Sequence, residues 1–152
     1  MIVGLGQDSH RFLEGDKKFV IGGVVFDDAP GLDADSDGDV ILHAICNAIT
    51  SISGVPILGG VAIEMCQQGI TDSREYVLAA MKTLSHKLVH IALSVEAKQP
   101  RMQKRCDEIR QSVASLMNLD ISQVGLTFTS GDGLSDFGKG LGLQCFCVLT
   151  VH

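Results

Sequence analysis

Ile41, Ile45, Ala48, Ile49 and Ile52 recur at the spacing of a single helix face. An apolar stripe of that kind has to be covered, so the helix that carries it must lie on a sheet or on other helices. Ser36 and Asp37 are good N-cap residues with further acids close behind, which predicts a helix start near Asp37. Gly54 and Pro56 end it. Ile2 to Gly6 reads as a short strand. Phe19 to Phe26 reads as two strands or one bent strand, because Gly22-Gly23 marks a bulge or turn. Ile57 to Cys66 is apolar but ambiguous. A second helix is capped by Thr71 or Asp72 and contains Tyr76, Leu78, Ala79, Met81 and Leu84; a third spans about Met102 to Met117. Val89 to Glu96, Val124 to Thr129 and Leu143 to Val151 read as strands, the last two joined by a Gly-rich stretch. This order is α+β, with helices packed on one face of a mixed β-sheet. A chain of 152 residues without repeat or linker predicts a single domain over 1–152. The other sheet face needs cover or solvation. With a mean hydropathy of +0.26, homo-oligomerisation is expected to bury part of it.

Composition narrows the function. A hydrophobic fraction of 45% against 20% charged excludes a disordered chain. No run approaches the roughly 20 apolar residues of a membrane span. The start, MIVGLGQDSH, lacks the basic and long apolar regions of a secretory signal. A net charge of −6 argues against nucleic-acid binding by phosphate attraction. An acidic protein can still hold a phosphorylated small molecule if a metal or a few local cations supply positive charge. The five cysteines, Cys46, Cys66, Cys106, Cys145 and Cys147, are odd in number and form no C-x-x-C pair. A disulfide framework and a four-cysteine zinc site are both poor readings, and a reducing, cytoplasmic setting is expected. Cys145 and Cys147 flank Phe146, so a strand puts both on one face as small buried hydrophobes.

Four local features can carry chemistry. In Gln7-Asp8-Ser9-His10, extended backbone points Asp8 and His10 the same way, with Cα atoms about 7 Å apart. Carboxylate and imidazole can converge on one divalent ion, although D-x-H also occurs in ordinary surface turns. In Asp35-Ser36-Asp37-Gly38-Asp39-Val40-Ile41-Leu42-His43, a helix starts inside an acidic run, and its free N–H groups suit a phosphate or carboxylate. Asp39 and His43 are four apart, so Asp39 can orient His43. Equally, His43 can be a satisfied core histidine and the acids simple caps. The D-x-D-G-D run lacks the EF-hand ligand pattern. Asp8, His10 and His43 together make a set that suits tetrahedral zinc with an open fourth position; Cys46, three residues on, would close it. The run Thr127 to Gly140 brings together hydroxyls, Asp132, Lys139 and several glycines, as phosphate binding needs, but it also suits a hairpin loop. It is not a P-loop. Lys98-Gln99-Pro100-Arg101-Met102 is either a rigid pocket wall or a helix start.

G-Q-D-S-H at the start, S-D-G-D-V-I-L-H in the middle and the run from Thr129 to Gly142, in this order, resemble the 2-C-methyl-D-erythritol 2,4-cyclodiphosphate synthase family over nearly the whole chain. The resemblance implies a homotrimer with active sites between subunits. It implies zinc held by Asp8, His10 and His43, and a second ion, magnesium or manganese, held through the substrate phosphates and Asp132, where the family usually has Glu. It matches Thr129 and Ser130 to hydroxyls on the nucleotide phosphates, Lys139 to a usual Arg, and Pro100, Arg101 and Met102 to the cytidine pocket. Ser9, Ser36, Gly131 and Asp136 join Asp8, His10 and Asp35 as substrate contacts, and Asp35, Ser130 and Asp132 are the expected catalytic set. The implied reaction is intramolecular: the 2-phosphate of 4-diphosphocytidyl-2-C-methyl-D-erythritol 2-phosphate attacks its own β-phosphate and CMP leaves. Like-charged phosphates must then be neutralised and aligned, and no side-chain nucleophile is needed.

Three departures stand against that pattern. Asp35 replaces a usual His, setting an anion where a transferring phosphate would be steadied. The usual G-D-I-G…F-P-D-T-D segment is absent, and Val55-Pro56-Ile57-Leu58-Gly59-Gly60-Val61 stands there. Phe128 replaces a small residue near the cytosine pocket. They leave open a catalytically silent homologue that binds cytidine nucleotides or isoprenoid phosphates. A zinc hydrolase is a third reading, with Asp35 as its only general base.

Overall fold

A computed structural model describes residues 1–152. The main sheet has four strands in the order β1-β6-β4-β5: β1 Ile2–Arg11, β6 Gly142–Val151, β4 Leu88–Glu96 and β5 Val124–Thr129. β6 is antiparallel to both β1 and β4, while β4 and β5 run parallel, so the sheet is mixed. A separate hairpin pairs β2 Phe19–Ile21 with β3 Val24–Phe26. Its two turn residues, Gly22 and Gly23, both have positive φ (58° and 78°), the turn whose twist matches paired strands. The helices are α1 Val40–Ser53, α2 Gly60–Gln67, α3 Ser73–Met81 and α4 Cys106–Leu116. The α+β expectation holds, with helices on one face of the mixed sheet.

Several boundaries move. β1 runs on past Gly6 to Arg11, because all ten of its residues pair with β6, polar ones included. Gln7 to His10 is therefore strand rather than strand end. α1 begins at Val40, not near Asp37: the Asp39 carboxylate accepts from Leu42 N and takes the N-cap position itself. The ambiguous apolar segment forms α2, which starts after Gly59 (φ 94°). The Gly-rich stretch is not a hairpin loop, since β4 lies between β5 and β6 in the sheet.

α1 is buried nearly all round, at nine of its fourteen residues, between the sheet and α3. Ile41, Leu42, Ile45 and Ile49 are fully enclosed; each contributes about 1.5–3 kcal/mol by burial. The helix lies against β1 at backbone distance. Gly4 and Gly6 face it, and a methyl group at Gly6 would overlap the Ala44 carbonyl oxygen and the Ala48 amide nitrogen. The opposite sheet face is bare: Val3 is 62% exposed, Leu5 61%, Phe146 45% and Val148 39%. Cys145 and Cys147 point inward and are fully buried, as alternation predicts.

Gly6→Ala tests the backbone contact. It is expected to destabilise the fold by about 1–3 kcal/mol, read as a lower urea midpoint at unchanged slope. Stability equal to the native protein would show that the two backbones need not touch.

Candidate metal centre and nucleotide cleft

Strand alternation sends Asp8 and His10 to the helix-covered face of β1, and the close approach of α1 sets His43 opposite them. Asp8 Oδ2 lies 3.0 Å from His10 Nε2 and 3.1 Å from His43 Nδ1, and the two nitrogens are 3.3 Å apart. Ligands at tetrahedral zinc distances are separated by about 3.3 Å. The three donor atoms thus form one face of such a tetrahedron, and one carboxylate with two imidazoles is a donor set zinc accepts. The other nitrogen of His10, Nδ1, lies 3.1 Å from the Asp33 carbonyl, which can only accept. Neutral His10 therefore donates from Nδ1 and leaves its Nε2 lone pair free for a metal ion, while protonated His10 also donates from Nε2 to Asp8.

Burial pushes the Asp8 carboxyl up, but its close contacts with the ring nitrogens of His10 and His43 and their charge outweigh it and hold it below the ordinary carboxylate range. The hydrogen bond with Asp8 raises His10 against its own burial. Asp39 does not orient His43. Its carboxylate is fully buried and takes three backbone N–H groups, from Gly22 at 2.8 Å, Gly23 at 2.7 Å and Leu42 at 3.1 Å, so it ties the hairpin to α1. Burial and the neighbouring Asp37 push its carboxyl up to about 6. The partner of His43 Nε2 is instead Ser73 Oγ at 2.8 Å, with Ser36 Oγ at 3.3 Å. Cys46 does not join the cluster. It points into the core, and burial pushes its thiol up to about 12.

Asp35 and Ser36 line the same cleft of about 510 Å³, held by a loop that Lys17 clamps through the Leu32 and Ala34 carbonyls at 2.8 and 2.6 Å. Leu58, Ala62 and Ile63 of the α2 segment form its apolar wall, with Cys66 and Tyr76 behind. A second cleft, of about 1160 Å³, gathers Pro100, Arg101, Met102, Phe128, Thr129, Ser130 and Asp132. Ser130 Oγ accepts from Asp132 N at 3.3 Å, and Gly131, Asp132 and Gly133 all have positive φ. Gly131 presses on Glu96, whose carboxylate accepts from Ser135 and Gln144 and so pins the loop to the sheet. Ser9 points to the opposite sheet face from Asp8 and His10 and meets Asp136 in a shallow third depression. Lys139 stands outside the clefts, 3.8 Å from Asp136.

The two clefts lie at one end of the sheet but on its two outer strands, β1 and β5. Three strand spacings, about 14 Å, separate those strands. Sequence reasoning missed Asp33, Asp37, Ser73 and Tyr76 at the metal cleft. Ser73 lies 30 residues from His43, and no periodicity could link them.

The YgbB family matches the chain over residues 1–152, and the chain belongs to that family. It is 50% identical to the 2-C-methyl-D-erythritol 2,4-cyclodiphosphate synthase of Chlamydia caviae and 49% identical to that of Chlamydia felis, covering 98% of this chain and 88% of each relative. A solved structure of a 2C-methyl-D-erythritol-2,4-cyclodiphosphate synthase with CDP bound superposes with a TM-score of 0.83 at 26% identity, over 99% of this chain and all of that one.

Metal binding at this site must displace protons. His10 is raised above its ordinary value, so it carries a proton at pH 6 that a metal ion must expel. Zinc affinity is expected to rise with pH by roughly tenfold per unit until His10 is neutral. Calorimetry in buffers of different ionisation enthalpy is expected to find more protons released at pH 6 than at pH 8; equal release would contradict His10 ligation. His43→Ala and Asp8→Asn are expected to lose zinc, by elemental analysis, while the circular dichroism stays native.

Proposed function

We propose that this chain converts 4-diphosphocytidyl-2-C-methyl-D-erythritol 2-phosphate to 2-C-methyl-D-erythritol 2,4-cyclodiphosphate and CMP, a phosphorus–oxygen lyase step of non-mevalonate isoprenoid synthesis in the cytoplasm. The observation that carries the reading is the triangle of donor atoms from Asp8, His10 and His43, set in a chain about half identical to synthases of that name. An oxygen of the 2-phosphate forms a bond to the β-phosphorus, and the bond from that phosphorus to the oxygen shared with CMP breaks. Divalent cations, zinc at Asp8, His10 and His43 and magnesium or manganese at Asp132 with the substrate phosphates, supply charge neutralisation and Lewis acidity.

The protein's own groups bind and align. Pro100, Arg101 and Met102 wall the cytidine pocket, with Phe128 across from them. Thr129 and Ser130 donate hydroxyls to the nucleotide phosphates, and the turned backbone at Gly131 lets the chain approach them. Ser36 adds a contact in the metal cleft, whereas Ser9, Asp136 and Lys139 lie outside both clefts and could contribute only at their edge. Leu58, Ala62 and Ile63 take the place of the absent family segment against the methylerythritol. Asp35 lines the metal cleft, where its carboxylate favours a cation between itself and the phosphate.

The separation of the clefts on β1 and β5 supports active sites between subunits, where one copy's metal centre faces its neighbour's nucleotide cleft. The bare apolar face of the sheet supports the same assembly, a homotrimer. Sedimentation is expected to give about three times the 16.2 kDa chain mass.

With Mg²⁺, purified protein is expected to release CMP and form a cyclic diphosphate by phosphorus NMR, and EDTA is expected to stop both. An open-chain 2,4-bisphosphate alongside CMP would point to water as nucleophile. CDP binding without turnover would favour a silent homologue, the reading that Asp35 supports. Asp132→Asn is expected to lower kcat about a hundredfold with cytidine binding retained.

A further inference from the structure

We infer that Asp37 and Ser73 are positioning residues that fix which nitrogen of His43 faces the metal. The inference rests on the reading of Asp8, His10 and His43 as a metal centre. Ser73 opens α3 and is fully buried. Its backbone N–H donates to Asp37 Oδ2 at 3.0 Å, and its hydroxyl lies 2.5 Å from Asp37 Oδ1. An ionised carboxylate accepts only, so the one hydroxyl proton of Ser73 is committed to Asp37. What remains on Ser73 Oγ is lone-pair density, and His43 Nε2 lies 2.8 Å from it. That nitrogen must donate. His43 therefore carries its proton on Nε2 and presents the Nδ1 lone pair to the place where Asp8 Oδ2 and His10 Nε2 converge.

The direction of this chain is set at its far end. Asp37 also accepts from Asp39 N at 3.1 Å and donates its own N–H to the Thr71 carbonyl at 2.9 Å. The residue is thereby tied to both the start of α1 and the approach to α3. Ser36 Oγ is a second hydroxyl near Nε2, at 3.3 Å, but it accepts from Gly38 N and has no carboxylate behind it. Its own proton is free to turn either way, so it cannot choose the tautomer. The same logic operates at His10 through the Asp33 carbonyl. In that case the acceptor is backbone and cannot be removed by substitution, whereas Asp37 and Ser73 can.

Full-length protein stripped of metal and titrated with Co²⁺ tests the inference. The native protein is expected to show the intense visible bands of a tetrahedral site. Ser73→Ala is expected to weaken Co²⁺ binding about 10- to 100-fold and to alter the bands, with Ser73→Thr restoring most of both. Asp37→Asn, which offers a donor as well as an acceptor, is expected to weaken binding similarly. Ser73→Ala with native affinity and native bands would overturn the positioning role and leave the metal centre standing. No Co²⁺ binding by the native protein would overturn the centre itself. A long-range ¹H–¹⁵N spectrum of the zinc-loaded native protein needs no variant to fold: it is expected to show His43 protonated at Nε2, and protonation at Nδ1 would refute the relay.

Discussion

The site exists because a helix and a strand touch through their backbones. Gly4 and Gly6 on β1 carry no side chain, and Ala44 and Ala48 of α1 meet them through their backbones. Side chains of ordinary size would hold a helix about 10 Å from a sheet. Here the small residues remove that spacing, and His43, the residue just before Ala44, comes to hydrogen-bonding distance of Asp8. Asp8 and His10 are placed by alternation alone, two residues apart on one face. The position of His43 depends on this contact, so packing in the core and geometry in the site are one constraint.

That dependence explains what could be read from the residues and what could not. The stripe Ile41 to Ile52 and the D-x-H spacing are local periodicities, and both appear in the fold as they do in the chain. The polar end of β1 was hidden because its pairing with β6 joins residues more than a hundred positions apart. The same non-local pairing put β4 between β5 and β6 and undid the hairpin reading of the Gly-rich stretch. α2 has neither a capping side chain nor a clear apolar face, only a start after Gly59. Asp39 was at the right helical spacing to reach His43, but spacing does not count acceptors. Its two oxygens were already taken by Gly22, Gly23 and Leu42. The partner His43 does have, Ser73, comes from another helix.

Asp37 and Asp39 divide the work of the acidic run between them. Asp39 faces the core and satisfies amides that would otherwise be buried without partners. Asp37 faces α3 and holds its first residue. A run that looks like repeated capping is thus two opposed attachments, one to the β2–β3 hairpin and one to α3, with α1 beginning between them. His43 lies just inside that junction, and the attachment to α3 reaches its ring through Ser73.

Charge is segregated between the clefts. The metal cleft is lined by Asp8, Asp33 and Asp35 and by no lysine or arginine. The second cleft has Lys98, Arg101 and Lys104 against the single carboxylate of Asp132. A field of three carboxylates repels phosphate and attracts divalent cations. A cleft with three cations does the reverse. A diphosphate bridging the two halves would meet lysine and arginine at its nucleotide end and only cation-mediated contacts at the other. The Asp35 substitution deepens this contrast rather than creating it, since Asp8 and Asp33 already make the metal side anionic. Asp35 therefore belongs with the groups that favour a cation here, and a phosphate entering beside a bound cation would be repelled less than one entering alone.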